Sequence, residues 1–343
     1  MSNNEDIIKI YRHNAPFVLE SGERLEELTI AYSTYGTRNA DESNVVWVCH
    51  ALTANSDVQD WWPHTVEEGA ILDPAEHFVV CANFLGSPYG TTAPLHTNPT
   101  TGEPYYGDFP AYTIRDIVEA HKILADHLKV GHIDVILGCS VGGFQALEWS
   151  VSEPDRFSKM VLVATDAKAT PWSVAINETM RMAIESDPTF GERRDDAGME
   201  GLATSRALAL LTYRGPHGYN ITQQNPDIRI KDHRAQSYQR YQGEKLCKRY
   251  NVYSYYSILN CFDTHDVGRE RGGTDVALST IKAKTYVVGI TTDILFPASE
   301  MRDLTRRIPR AEYFEIESLF GHDGFLVEFG QFNRLLRPIM KRK

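Results

Sequence analysis

Short runs of apolar residues recur along the chain and are the clearest pattern in its sequence. They are rich in β-branched side chains and are bounded by polar or turn-forming residues, as is typical of strands buried on both faces of a parallel sheet. The runs are Val45–Cys49, Phe78–Cys81, Val135–Leu137, Met160–Val163 and Thr285–Val288, and a further strand-like segment is Glu312–Ile316. We therefore expect these segments to pair as the strands of one largely parallel sheet.

Helical patterns lie between some of these runs. The clearest begins at Thr113, where Asp116 is placed to complete a capping box, and apolar residues follow at helical spacing up to Leu128. Alternation of strands and helices predicts a parallel sheet covered by helices on both faces. The earlier stretch Leu25–Tyr35 is interpreted as antiparallel strands that lead into the sheet, and Ala298–Arg307 as one helix.

The pattern changes between about Ala167 and Ala283, where strand-like runs give way to helical, charged and aromatic segments. Examples of the helical segments are residues 177–185, 201–213 and 237–248. This change indicates a helical insertion between two strands, placed over the carboxyl edge of the sheet as a lid. The expected organisation is a core formed by residues 1–166 and 284–343, with residues 167–283 as the lid.

Composition narrows the function classes. A formal net charge of −11 argues against nucleic acid or an anionic membrane surface as a partner. The first residues are polar and acidic with no apolar run behind them, so no signal peptide is expected, and no segment approaches membrane-spanning length. An odd number of cysteines, five, with no Cys-x-x-Cys pair predicts reduced thiols in a cytoplasmic protein.

The run at Val135–Leu137 continues into a Gly-x-Ser-x-Gly motif centred on Ser140 and then into a helix-like segment. A serine on such a strand-to-helix turn is held in a strained backbone conformation with its hydroxyl exposed above the sheet. This is the nucleophile elbow of the α/β-hydrolases, and it predicts Ser140 as a nucleophile. The neighbouring Cys139 is a less favoured alternative because the apex of the turn is the serine.

A serine nucleophile needs a general base and a carboxylate that orients the base. In the α/β-hydrolase order the acid follows the serine and the histidine comes last. Asp293 lies just beyond the strand Thr285–Val288, and His322 follows the final strand. We therefore expect a Ser140–Asp293–His322 triad, with Asp263 and Asp266 as alternatives to Asp293.

An oxyanion hole needs two backbone N–H groups. We expect one from Val141, which follows the nucleophile, and the other from Leu52, in the loop after an early strand. His50, at the start of that loop, is interpreted as a structural residue. Nucleotide-binding glycine loops and metal-ligand spacings are absent from the sequence, so no metal site is expected.

Several further segments, together with the motifs above, carry a family resemblance. The matching stretches are residues 50–53, 83–92, 109–116, 138–149, 203–214, 241–243, 292–297 and 321–323. Over nearly its whole length the chain resembles the homoserine O-acyltransferases of the α/β-hydrolase superfamily, in particular the acetyltransferases. Cys139, Val141 and Phe144 depart from the residues that are common at the elbow in that family.

The resemblance implies an α/β-hydrolase fold and transfer of an acetyl group from acetyl-CoA to L-homoserine through acetyl-Ser140, in methionine biosynthesis. It assigns homoserine contacts to Arg206 and Asp323, whose charges suit the α-carboxylate and the α-ammonium of an amino acid. It also implies a homodimer formed through the helical insertion and no bound cofactor. Succinyl-CoA as donor, serine as acceptor, and an esterase or thioesterase that uses water remain alternatives.

Overall fold

The computed structural model describes residues 7–341. Within this range, an eight-stranded sheet forms the centre of the protein. The residues at the very start of the chain, which bear on the signal-peptide expectation, lie outside the described residues. The strand order in the sheet is β1-β4-β6-β5-β7-β8-β9-β10. The strands are β1 (Ile8–His13), β2 (Phe17–Val18), β3 (Arg24–Leu25), β4 (Leu28–Tyr35), β5 (Val45–Cys49), β6 (Phe78–Ala82), β7 (Ile133–Cys139), β8 (Phe157–Val163), β9 (Lys284–Ile290) and β10 (Ala311–Ile316).

The six strands β5 to β10 run parallel to one another, and β4 and β1 extend the sheet by antiparallel pairing. Every predicted apolar run lies in one of the parallel strands, which confirms the prediction of a largely parallel sheet. The antiparallel lead-in is also confirmed, although β2 and β3 form a small separate hairpin. Because parallel strands end at the same edge, the loops after β5, β7, β9 and β10 converge there.

Helices connect and cover the strands. They are α1 (Val58–Trp61), α2 (Ile114–His127), α3 (Val141–Ser152), α4 (Pro171–Glu185), α5 (Met199–Tyr213), α6 (Pro216–Thr222), α7 (Arg234–Cys247), α8 (Val252–Asp263), α9 (Thr274–Ser279), α10 (Ala298–Arg307), α11 (Gly324–Val327) and α12 (Phe329–Met340). The capping box predicted at the start of α2 is present: the Thr113 hydroxyl accepts from the Asp116 N–H, and the Asp116 carboxylate accepts from the Thr113 N–H. In the part of the chain described, no helix is long and apolar enough to cross a membrane.

Alternating residues of the strands face two separate hydrophobic cores. In β5, Trp47 belongs to the core that also contains buried residues of α2 and α3, whereas Val48 belongs to the core beneath α12. Within α12, Phe332 and Leu336 are fully buried in this second core. Helices on both faces of the sheet were expected, and the two cores confirm this arrangement.

The helices α4 to α9 lie between β8 and β9. Of the expected helical segments, 177–185 and 201–213 lie within α4 and α5, and 237–248 lies in α7 apart from its last residue. The division of the chain into a core and a lid stays a prediction. The position of α5 and α7 matters for the site, because both contribute side chains to the cavity above Ser140.

Candidate active site

The turn at Ser140 joins the end of β7 directly to the start of α3. Ser140 has φ +56° and ψ −126°, a conformation that non-glycine residues rarely adopt. A Cβ on Gly142 would lie 2.0 Å from the Cys49 carbonyl oxygen, and one on Gly138 would lie 2.2 Å from the Gly142 carbonyl oxygen. The two glycines therefore permit the close passage of strand and helix that places the serine at the apex.

The structure brings Ser140, His322 and Asp293 together at the carboxyl edge of the sheet. His322 Nε2 lies 2.9 Å from Ser140 Oγ, and His322 Nδ1 lies 2.7 Å from Asp293 Oδ2. All three residues are buried, with only a few per cent of their surface exposed. If Nδ1–H donates to the carboxylate, Nε2 is left with a lone pair that can accept the serine proton.

The environment of His322 favours its protonated form. Burial by itself would lower the pKa of the imidazole, but the neighbouring carboxylates of Asp293 and Asp323 outweigh it and raise the pKa above its ordinary value. Asp293 is itself fixed by the backbone, since its Oδ1 accepts from the N–H groups of Leu295 at 2.8 Å and Phe296 at 3.0 Å. The carboxylate is thereby aimed at the imidazole.

The loops that carry the acid and the histidine are tied to each other. The Thr292 hydroxyl donates to the Ser318 carbonyl at 2.8 Å and accepts from the Gly321 N–H at 2.9 Å. Gly321 has φ +65°, and a Cβ there would lie 2.5 Å from the Gly215 backbone nitrogen. Glycine is needed at this position, because the loop before His322 presses against the end of α5.

A cavity of about 380 Å³ opens above the serine, and Ser140 and His322 form part of its wall. Leu52, Arg206 and Asp323, all expected at the site, line the same cavity. Val141 is the first residue of α3, so its N–H has no acceptor within the helix. Five of the predicted residues therefore line one cavity, Asp293 and Val141 adjoin two of them, and the catalytic roles are taken up as a proposal below.

Arg206 and Asp323 have different surroundings within this cavity. The half-buried guanidinium of Arg206 lies over the ring of Tyr213, 5.4 Å from its centroid. The buried carboxylate of Asp323 has an ion-pair partner that was not predicted from the sequence, Arg214, at 3.2 Å between Nε and Oδ2. Burial raises the pKa of Asp323, and the two arginines oppose that shift.

Two further cations on the cavity wall were also missed. Lys245, on α7, and Arg249, just after it, are exposed side chains that line the cavity. Arg249 donates to the carbonyl oxygen of Thr53 and to the Tyr89 hydroxyl. Nothing local in the sequence signals this contact, since Thr53 and Arg249 are 196 residues apart.

His50 and Cys139, which could be mistaken for catalytic groups, are fully buried and are not among the residues that line the cavity above Ser140. The Phe84 N–H donates to His50 Nε2 at 3.4 Å, His50 Nδ1 lies 2.8 Å from the Ala51 carbonyl oxygen, and burial lowers the pKa of this imidazole to about 3. Cys139 is fully buried in the core beneath α12, and burial raises the pKa of its thiol. A buried, protonated thiol is a poor nucleophile.

Asp263 and Asp266, the alternatives to Asp293, make contacts with residues outside the triad. Asp263 pairs with Arg181, at 2.7 Å, and accepts from Asn177. Asp266 accepts from the Gly268 N–H at 2.8 Å. Among residues 7–341, no group of three His, Cys, Asp or Glu side chains is placed to hold a metal ion.

Comparison with known proteins identifies the class to which this site belongs. The family model described as the alpha/beta hydrolase fold matches residues 44–329, so the chain is an α/β-hydrolase-fold protein. A homoserine O-acetyltransferase of Cyclobacterium marinum (strain ATCC 25205 / DSM 745 / LMG 13164 / NCIMB 1802) is 46% identical over 319 residues, which cover 93% of this chain and 91% of the relative. The chain belongs to the homoserine O-acetyltransferase family and is an acyltransferase.

Solved structures agree in fold. The crystal structure of homoserine O-acetyltransferase from Bacillus anthracis matches with a TM-score of 0.89 at 23% identity, covering 98% of each chain. An acetylester hydrolase from Corynebacterium glutamicum matches with a TM-score of 0.87 at 23% identity, covering 98% of this chain and 96% of that one. At this identity the two likenesses show the fold alone.

Proposed function

We propose that the chain transfers an acetyl group from acetyl-CoA to the side-chain hydroxyl of L-homoserine through an acetyl-Ser140 intermediate. The observation that carries the proposal is the continuous hydrogen-bonded path from Ser140 through His322 to Asp293, which opens into a cavity lined by Arg206 and Asp323. The name of the relative from Cyclobacterium marinum supports the same acceptor and acyl group.

In the first half-reaction, His322 Nε2 takes the proton of Ser140 as Oγ attacks the thioester carbonyl carbon. The N–H groups of Leu52 and Val141 donate to the oxyanion of the tetrahedral intermediate. When that intermediate collapses, the carbon–sulfur bond breaks and the imidazolium returns its proton to the CoA thiolate. The acetyl group is then held on Ser140 as an ester.

In the second half-reaction, the amino acid binds with its α-carboxylate on Arg206 and its α-ammonium on Asp323. His322 takes the proton of the homoserine hydroxyl, whose oxygen attacks the acetyl ester. The intermediate collapses with transfer of the proton to Ser140 Oγ, which releases O-acetylhomoserine and the free serine. The same base therefore serves both half-reactions.

The pair Arg206 and Asp323 distinguishes this proposal from hydrolysis. Water needs no charged contacts, whereas an amino acid presents one anionic and one cationic group on the same carbon. Both side chains lie in the cavity that holds the nucleophile. An acceptor bound by two charged contacts can be held in line with the acetyl ester, and this positioning gives it an advantage over water.

We also propose a cytoplasmic homodimer, formed through the helical insertion, that acts in methionine biosynthesis. The insertion exposes large apolar side chains, and those of Ile228 and Ile230 are almost fully exposed. Exposed apolar residues that occur close together are typical of protein interfaces. Light scattering on the wild type and on an Ile228→Asp, Ile230→Asp double variant tests this, with a dimer and a weakened dimer as the expected results.

Mass spectrometry of the intact protein tests the donor. After brief incubation with acetyl-CoA the protein should gain the mass of one acetyl group, whereas succinyl-CoA should give little adduct. A succinyl adduct formed faster than the acetyl adduct would reassign the donor. Failure of both donors to label the protein would overturn the acyl-enzyme mechanism.

A further inference from the structure

The side chains that line the cavity above Ser140 become more exposed to solvent from its interior to its mouth. Ser140 and His322 are nearly buried, Arg206 is half-buried, and Lys245 and Arg249 are exposed to solvent. All five residues line the same cavity. The exposed cations therefore mark the end of the cavity that opens to solvent.

These exposed cations have no carboxylate partner within ion-pair distance among the described residues, whereas many other surface cations do. The contacts of Arg249 are with neutral oxygens: the Thr53 carbonyl, the Tyr89 hydroxyl and, at 3.4 Å, the Thr53 hydroxyl. Two carboxylates also line the cavity: Asp323, which pairs with Arg214, and Asp60, which accepts from Asn55 at 2.8 Å. In a chain of net charge −11, two cations without acidic partners at one opening favour an anionic ligand.

We propose that Lys245 and Arg249 bind the phosphate groups of the acyl donor at the mouth of the cavity, an inference that rests on the proposed use of acetyl-CoA. The donor carries its thioester at the end of a long, uncharged pantetheine arm and its phosphates at the other end. With the thioester at Ser140, the nucleotide must remain outside a cavity of about 380 Å³. The phosphates therefore lie where the exposed cations are.

Arg249 and Lys245 differ in the contacts that they make with the rest of the protein. Arg249 also fixes the carbonyl of Thr53, next to the proposed oxyanion residue Leu52, and Tyr250 donates to the Leu52 carbonyl at 3.4 Å. Loss of Arg249 would therefore disturb the loop as well as a phosphate contact. Lys245 has no such structural contact among residues 7–341, so it gives the cleaner test.

The test compares acetyl-CoA with S-acetylpantetheine, which has the same thioester and arm but no phosphate. The measured quantity is the second-order rate constant for acylation of Ser140, obtained by rapid quench and intact mass. Lys245→Ala should lower this constant for acetyl-CoA roughly three- to tenfold at low salt and leave that for S-acetylpantetheine unchanged. Lys245→Arg should restore the rate, because it keeps the charge.

Lys248→Ala is the matched control, since Lys248 is an exposed neighbour that does not line the cavity. It removes the same charge from the protein and should leave both donors unaffected. The advantage of acetyl-CoA over S-acetylpantetheine in the wild type should also shrink at high ionic strength, because salt screens exposed charges.

Other outcomes overturn the inference. If Lys245→Ala slows both donors equally, or slows neither, Lys245 does not contact the phosphates, while the proposed function stands. If Arg249→Ala slows acylation by both donors equally, Arg249 only supports the loop at Thr53 and is not a phosphate-binding residue. If the wild type is acylated by neither donor, both this inference and the proposed function fail.

Discussion

Arg214 and Asp323 form an ion pair at the end of α5, with 3.2 Å between Nε and Oδ2, directly beside the histidine that contacts Ser140. The contact is ionic rather than an aligned hydrogen bond. Because burial raises the pKa of Asp323, the positive charge of Arg214 helps to keep this carboxylate ionised. Under the proposed function, an ionised Asp323 binds the ammonium group of homoserine, and we expect Arg214 to act as a positioning residue for this acceptor.

Arg214→Gln should weaken the use of homoserine. Without the arginine, the pKa of Asp323 rises further, so more of the carboxylate is protonated as the pH falls. We expect kcat/KM for homoserine to drop about tenfold and its acid-side decline to begin at a higher pH than in the wild type. Acylation of Ser140 by acetyl-CoA, measured in the absence of homoserine, is the internal control. An unchanged pH profile for homoserine would show that Arg214 only stabilises the fold.

Arg206→Ala should separate the two half-reactions. The burst of acetyl-Ser140 should persist, because acylation does not need the amino acid. Transfer to homoserine should fall by roughly thirtyfold to several thousandfold, mainly through the apparent affinity, as expected for a lost charge-assisted contact worth about 2–5 kcal/mol. Pre-steady-state kinetics with each substrate measures the two steps. Normal use of homoserine together with a lost burst would assign Arg206 to the donor instead.

Asp293→Asn should slow acylation by about three to four orders of magnitude, by analogy with loss of the orienting carboxylate in serine triads. An amide can neither stabilise the imidazolium nor hold Nδ1 protonated as reliably. Asp263→Asn and Asp266→Asn are matched controls, since these residues have other partners. A mild effect at Asp293 with a severe effect at either control would refute the assignment of the acid.

The pH dependence of acylation should follow His322. The imidazole must be neutral to take the serine proton, so kcat/KM for acetyl-CoA should fall as the pH drops through its pKa. Although burial opposes the charge, Asp293 and Asp323 raise this pKa above its ordinary value, and the midpoint should lie above that of an ordinary histidine. Asp323→Asn removes one of these anions and should move the midpoint down. A midpoint that moves up would contradict the electrostatic account.

The sheet could be predicted from the sequence because its central strands are buried on both faces and therefore appear as continuous apolar runs. Strand β1 was missed, since it lies at the sheet edge with Ile8 and Ile10 exposed and has no such run. The order of Ser140, Asp293 and His322 was visible because each follows a predicted strand. The contacts of Arg214 and Arg249 were not, because they depend on how the ends of α5 and α7 pack against loops distant in sequence.

The central claim is that the acetyl group passes through Ser140 to homoserine rather than to water. Wild-type protein acylated with acetyl-CoA should carry the acetyl group on the peptide that contains Ser140. It should lose the group much faster with homoserine than in buffer alone, with O-acetylhomoserine formed in equal amount. Ser140→Ala should not be labelled, whereas Cys139→Ala should be. Labelling of Ser140→Ala at the wild-type rate, or equal loss of the group with and without homoserine, would contradict the account.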